Sequence, residues 1–210
     1  MIQFTTRNRP NVLEYSLSKT REVYDGFIVV VDDHSQTRLF NREICTKYDA
    51  KLLYNEKRRG IPRSKERGFR SLKSYDYQFW FDDDCFPLEG WFERMEEAME
   101  TQGHLLHLKD WAHIKRKKVY PQGIVSYLSA TACFMTFRKD MYESVRGFSK
   151  GWDFYGGWHA VLSQSMARYG VDKYVAVERS YDYIHSFDVD GVPPDFDYMF
   201  QSSLPQHERK

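Results

Sequence analysis

Cysteine is scarce in this 210-residue chain, with Cys45, Cys85 and Cys133 standing far apart. No CxxC spacing occurs, which excludes a zinc ribbon, and the odd, sparse count excludes a disulfide framework. Three thiols of this kind suit a reducing compartment. Long apolar runs are also lacking. None approaches the roughly 20 residues of a membrane span, and the opening MIQFTTRNRP has no signal-peptide core. A cytoplasmic protein with no integral membrane segment is therefore expected. Charge of one sign is lacking too. Thirty-one basic residues face 30 acidic ones, for a formal charge of +1, so bulk charge argues for neither nucleic acid nor membrane. Three motifs are absent as well: a glycine fingerprint after the first apolar segment, a Walker sequence and an HExxH. Their absence argues against dinucleotide oxidoreductases, P-loop phosphotransferases and zincin proteases.

What is present begins with aromatic residues, 17% of the chain, which fill a core or line a ligand groove. Charge is locally uneven. Eight basic residues lie between Lys57 and Lys73 with Glu66 alone opposing them, and a second run covers Lys115 to Lys118. Such runs are solvated faces or surfaces that hold phosphate. The apolar pattern alternates strand and helix through the first half. Strands are expected at Ile2–Thr5, Phe27–Val31, Lys51–Tyr54 and Gln78–Phe81. The helices between them are Pro10–Val23, with proline at its start, Leu39–Tyr48, and Ser64–Tyr75 with Ser64 as its cap. A further helix over Leu88–Thr101 stops at Gly103. The second half reads as mixed or antiparallel strands, with helices over Lys139–Val145 and Trp158–Tyr169 and a loop after Ser180.

The acidic residues sit where covered strands end. FIVVV runs into Asp32 and Asp33, and QFWF runs into Asp82, Asp83 and Asp84. Open α/β sheets bind ligands outside the carboxyl ends of their strands. Clustered carboxylates there call for a cation, and a hard divalent ion with oxygen ligands also bridges a diphosphate. On an extended backbone Asp82 and Asp84 face one side and Asp83 the other. Asp32 or Asp33 is placed to accept hydrogen bonds from a ribose or base, or to cap the helix that follows.

With these landmarks the chain resembles glycosyltransferases of the GT-A fold, family 2-like, over about residues 2–187. TTRNRP followed by VVVDDHS is similar to the family's first strand end and the acidic end of its next strand. The resemblance places Thr5, Arg7, Asp32 and Asp33 at the nucleotide. NEKRRGIPRSKERGF resembles an Asn…Gly…Ala-Arg-Asn stretch, with Asn55, Gly60 and Arg63 in register and Arg63 near the nucleotide. WFDDDCFP resembles the Asp-x-Asp signature. It implies Asp82 and Asp83 at the sugar nucleotide, Asp82 and Asp84 on a metal, and Pro87 in its usual place. ATACFMTFRKDMYESVRGFSKGWDFYGGWHAVLSQSMARYG resembles the acceptor-side segment, although Trp158 and His159 stand where the family has Glu-Asp or Glu-His.

The resemblance implies an α/β enzyme with a mixed central sheet flanked by helices. It would use Mn²⁺ or Mg²⁺ to move a sugar from a nucleoside diphosphate sugar, a UDP-sugar favoured, to an acceptor hydroxyl. His159, or second Asp153, would be the base; His185 would complete the metal site; Trp152, Tyr155 and Trp158 would form an acceptor platform. The acceptor would be a glycan, or DNA carrying hydroxymethylated pyrimidines, as for small phage-type members. Residues 1–187 would form one catalytic domain and 188–210 a tail on or near the acceptor side. A sugar-phosphate nucleotidyltransferase and a non-catalytic carbohydrate or nucleic-acid binder of the same fold are the alternatives.

Overall fold

Strands covered on both faces need apolar residues at successive positions, and that need builds the centre of this molecule. The computed structural model describes residues 1–71, 74–107, 116–128, 133–144, 162–165, 167, 172 and 174–196. Strands β1 (Ile2–Thr6), β2 (Ile28–Asp32), β3 (Ala50–Tyr54) and β4 (Tyr77–Asp82) alternate with helices α1 (Pro10–Val23), α2 (Arg38–Lys47) and α3 (Ile61–Ser71). All five residues of β1 and of β2 are buried. The four strands run parallel in the order β3-β2-β1-β4. Beyond β4 the sheet continues antiparallel through β9 (Phe134–Arg138) to β6 (His104–Leu106), so the central sheet is mixed.

Period-two alternation sorts the side chains to two layers. Ile2, Phe4, Ile28, Val30, Phe79 and Phe81 face Leu13 and Leu17 of α1 and Trp91 and Met95 of α4 (Trp91–Met99). Trp80, Met135 and Phe137 face the other way, onto Phe69 of α3 and Met141 and Tyr142 of α5 (Lys139–Ser144). Burying each of these large side chains contributes about 2 kcal/mol. Gly68 lets α3 approach β1, because a Cβ there would meet the side chain of Gln3 at 2.1 Å. A second sheet orders β10 (Val175–Val177), β8 (Ile124–Tyr127) and β7 (Arg116–Tyr120).

Several expectations move. Ser64 does not cap α3 but is buried inside it; the helix enters through Gly60, whose φ of +82° suits glycine. Helix α4 begins at Trp91, not Leu88, after Gly90 in the left-handed region. The segment after Ser180, expected as loop, contains β11 (Ile184–Ser186). That strand pairs antiparallel with β5 (Cys85–Pro87), also unexpected. Both have three residues, too few to show a period. The helix expected over Trp158–Tyr169 falls mostly outside the described residues, of which 162–165 are helical. Of the tail from 188 onward, Phe196 packs on Tyr15 at 5.2 Å and Asp195 accepts from the Tyr15 hydroxyl at 2.6 Å.

Candidate active site

Register alone brings the acidic strand ends together. Thr6 pairs with Asp32 and Thr5 with Asp82, so β1, β2 and β4 finish level. After Asp82 the chain turns at Asp83 and Asp84 before β5 begins. That turn ends the alternation expected of an extended chain. Asp83 and Asp84 converge on one guanidinium, that of Arg9, and Asp82 turns to Lys65.

Asp82 is the most open of the three, its side chain 27% exposed, and Lys65 Nζ lies 2.8 Å from its Oδ1. Lys65 itself is fully buried on the inner face of α3, with the Trp80 ring 5.9 Å away. Burial raises the Asp82 pKa, and the lysine opposes it. Asp83 is nearly inaccessible. It accepts from Thr6 Oγ1 at 2.7 Å and from Arg9 Nε at 3.2 Å, and it pairs closely with Arg9 Nη2. Burial pushes its carboxyl up to about 6 against the pull of Arg9. Asp84 accepts from Arg9 Nη1 at 2.9 Å. These carboxylates raise the Arg9 pKa, Asp83 most of all.

Asp32 and Asp33 serve their own loops. Asp32 accepts from the Ser35 amide at 2.7 Å and Asn41 Nδ2 at 2.8 Å, which ties the turn after β2 to α2 without capping that helix, whose N-cap is Thr37. Asp33 accepts from the amides of Arg59 and Gly60 at 2.7 and 2.9 Å and from Asn55 Nδ2 at 3.0 Å. It thereby fixes the loop that leads into α3. Thr5 Oγ1 and Arg7 Nε are buried polar atoms with no hydrogen-bond partner among the described residues.

Arg63 is not drawn to the acidic turn. It pairs with Glu66 at 3.3 Å and lines a cavity of about 370 Å³ with Asn55, Arg59, Arg67 and Arg70. The basic run is thus divided: Lys65 points inward and the arginines outward. His185 lies opposite Phe86 in the β5–β11 pair, stacked on it at 5.0 Å, and its Nε2 meets the Gly191 carbonyl at 2.9 Å. It does not join Asp82 and Asp84 in a three-ligand cluster. No group of three or more His, Cys, Asp or Glu side chains is placed to hold an ion among the described residues. The acid that senses the turn from this side is Asp188, whose pKa is raised by burial and by Asp84. Asp153, His159, Trp152, Tyr155 and Trp158 lie outside the described residues.

Sequence reasoning missed Arg9, Lys65 and Asp188. Lys65 was findable: it stands four residues before Phe69, on the same inward stripe. Arg9 immediately precedes the proline that opens α1, a position that pattern analysis credits only with capping. Asp188 carried no such signal.

The family model for glycosyl transferase family 2 matches residues 2–153. No curated protein matches the chain in sequence. Among solved structures, the crystal structure of GalNAc-T7 with UDP, GalNAc and Mn²⁺ superposes with a TM-score of 0.66 at 11% identity, over 90% of this chain and 44% of that one. The S. aureus TarS 1–349 structure in complex with UDP gives 0.58 at 13% identity, over 88% and 59%. The 4-diphosphocytidyl-2C-methyl-D-erythritol synthase of Anaerococcus prevotii gives 0.51 at 15% identity, over 72% and 78%. This chain thus spans about half the length of the first two. At such identities the likeness is one of fold.

Proposed function

The chain belongs to glycosyl transferase family 2 and has the GT-A fold, and on that premise we propose that it transfers a sugar from a nucleoside diphosphate sugar to an acceptor hydroxyl in a divalent-metal-dependent reaction. The observation that carries this reading is the acidic turn, Asp82–Asp84, level with the ends of β1 and β2 and open to solvent at Asp82. A UDP-sugar is the favoured donor, because two structural neighbours hold UDP. Thr5 and Arg7 support the same placement, since each keeps a buried polar atom without a partner among the described residues at the end of β1.

The residues fit a metal of the Mg²⁺ or Mn²⁺ type. Such ions commonly take one or two carboxylates and leave their other positions to substrate phosphates, so the absence of a third ligand at His185 does not count against them. Asp82 and Asp84 would hold the ion. Bound there, it would offset the charge that develops on the departing diphosphate. Lys65 opposes the burial that raises the Asp82 pKa and holds the carboxylate in place. Asp33 orders the loop at the nucleotide end, and Arg63 lines the cavity that borders this loop at Asn55 and Arg59. Asp83 anchors the turn to β1 and α1 through Thr6 and Arg9.

In the transfer, the acceptor oxygen bonds to the anomeric carbon as the bond from that carbon to the diphosphate oxygen breaks. The acceptor proton goes to a base, His159 first and Asp153 second, with Trp152, Tyr155 and Trp158 as the acceptor platform. A glycan is the broad acceptor class, and DNA with hydroxymethylated pyrimidines is the second reading, favoured by the arginine face of α3. Three free, buried thiols support a cytoplasmic setting.

The test is a panel of UDP-, GDP- and other nucleotide sugars with Mn²⁺ and Mg²⁺, read by diphosphate release and by thermal protection. One sugar nucleotide should both stabilise the protein and be consumed. Pyrophosphate release from a sugar phosphate and a nucleoside triphosphate, with no sugar nucleotide consumed, would replace this reading with nucleotidyl transfer.

A further inference from the structure

Arg9 stands in an unusual relation to the acidic turn. It occupies the N-cap position of α1 yet makes no side-chain capping bond. Its guanidinium instead reaches across to Asp83 and Asp84. The two grips differ. Asp83 is held from two guanidinium nitrogens and keeps a further donor in Thr6 Oγ1. Among the described residues the Asp84 carboxylate receives a single side-chain bond, from Nη1 at 2.9 Å. The guanidinium is also the accessible partner: its side chain is 43% exposed, against 2% and 8% for the two carboxylates. Release of Asp84 therefore leaves Arg9 still bound to Asp83, and the buried Asp84 carboxylate then needs an incoming cation as its partner.

We propose that Arg9 is a displaceable counter-ion of the donor site, covering Asp84 in the donor-free protein and giving it up only to a metal that arrives with a diphosphate. The inference rests on the metal-dependent reading above. A carboxylate oxygen engaged by a charge-assisted hydrogen bond has less to offer a hard cation, so free metal must compete with the guanidinium. When a diphosphate accompanies the metal, the freed Nη1 finds phosphate oxygen in place of Asp84. Metal and diphosphate then bind better together than separately, a coupling free energy that each ligand feels equally. Arg9 is in this sense a positioning residue: it acts through Asp84 and sets the order in which the site fills.

The experiment measures Mn²⁺ affinity of the whole chain, from the electron paramagnetic resonance signal of unbound ion, without nucleotide and with saturating UDP. Wild type, Arg9→Gln, Arg9→Lys and Asp84→Asn are compared, with thermal unfolding as the check on folding. Arg9→Gln is expected to bind Mn²⁺ alone about tenfold more tightly than wild type, and the gain in affinity brought by UDP to shrink by about the same factor. A merely structural arginine predicts the reverse, weaker Mn²⁺ binding under both conditions. Wild type taking up Mn²⁺ with UDP while Arg9→Gln shows no tighter binding of free Mn²⁺ overturns the proposal and leaves the metal reading standing. If Arg9→Gln does not fold, Arg9→Lys decides: a smaller UDP gain than wild type supports displacement, and an equal gain overturns it. No Mn²⁺ uptake by wild type even with UDP removes the metal reading and this inference together.

Discussion

Two acidic strand ends stand side by side in this molecule, Asp32–Asp33 after β2 and Asp82–Asp84 after β4, and they are satisfied by different kinds of partner. At β2 every hydrogen bond to the carboxylates among the described residues comes from a neutral donor: amides of Ser35, Arg59 and Gly60, and the side chains of Asn41 and Asn55. At β4 the partners are cations, Lys65 and Arg9, with Thr6 beside them. Neutral donors of this kind are part of the loops that the carboxylates fix. Cationic side chains hold a place that another cation is able to take. An acidic residue at the carboxyl end of a strand is thus held by neutral donors of its own loop in one case and by cationic side chains in the other, although both look alike in sequence.

That contrast can be broken or sharpened by substitution. The largest effect is expected at Asp84. Asp84→Asn should lower sugar-nucleotide turnover by about 10²–10³-fold at saturating Mn²⁺, the scale of losing one preorganised electrostatic group, while the thermal midpoint changes little. Full turnover in that variant would remove β4 from the chemistry. Asp32→Ala should act oppositely, on folding: it leaves Ser35 N–H and Asn41 Nδ2 without an acceptor in a fully buried place, at a cost of about 3 kcal/mol. Urea unfolding should show a lower midpoint at unchanged slope. Asp33→Asn should be intermediate, loosening the 55–60 loop. Donor KM is expected to rise several-fold, with about 1 kcal/mol of stability lost.

The smallest effect concerns pH. Burial raises the Asp190 carboxyl, but the hydrogen bond from His107 Nε2 at 2.8 Å and that from the Ser186 amide outweigh it and hold its pKa below the usual value. A carboxyl lowered in the folded state adds stability that is present above its unfolded pKa, 3.8, and is lost as pH falls through the folded value. The contribution is small because burial works against the hydrogen bonds. Asp190→Asn should flatten the acid limb of the stability curve below about pH 4. An unchanged acid limb would mean that the segment after β11 is held by its apolar contacts alone.

Much of the parallel half was legible because its signals are local. β2 and β4 are apolar over most of their length, and α1 opens on a proline that the structure places at its first turn. The acidic turn was legible as a place, since a covered strand that runs into three aspartates has few other uses. Its internal arrangement was not. Reading 82–84 as extended chain set Asp82 with Asp84 and Asp83 apart, whereas the turn sets Asp83 with Asp84 on Arg9. The division within the basic run was missed as well: the helical phase of α3 sends Lys65 inward and leaves Arg63 beside Glu66, on the cavity it shares with Asn55 and Arg59. β5 and β11 escaped notice because a three-residue strand is defined by its partner, nearly a hundred positions away, and not by its own pattern.

Local chemistry in the sequence decided which segments become covered strands, where they end, and that those ends carry carboxylates, because periodicity and composition act between near neighbours. Which cation meets which carboxylate was decided only by the tertiary structure. Arg9 and Asp83 are 74 positions apart, and a bond over that span exists only once parallel register has set β1 beside β4 and α1 has packed behind them.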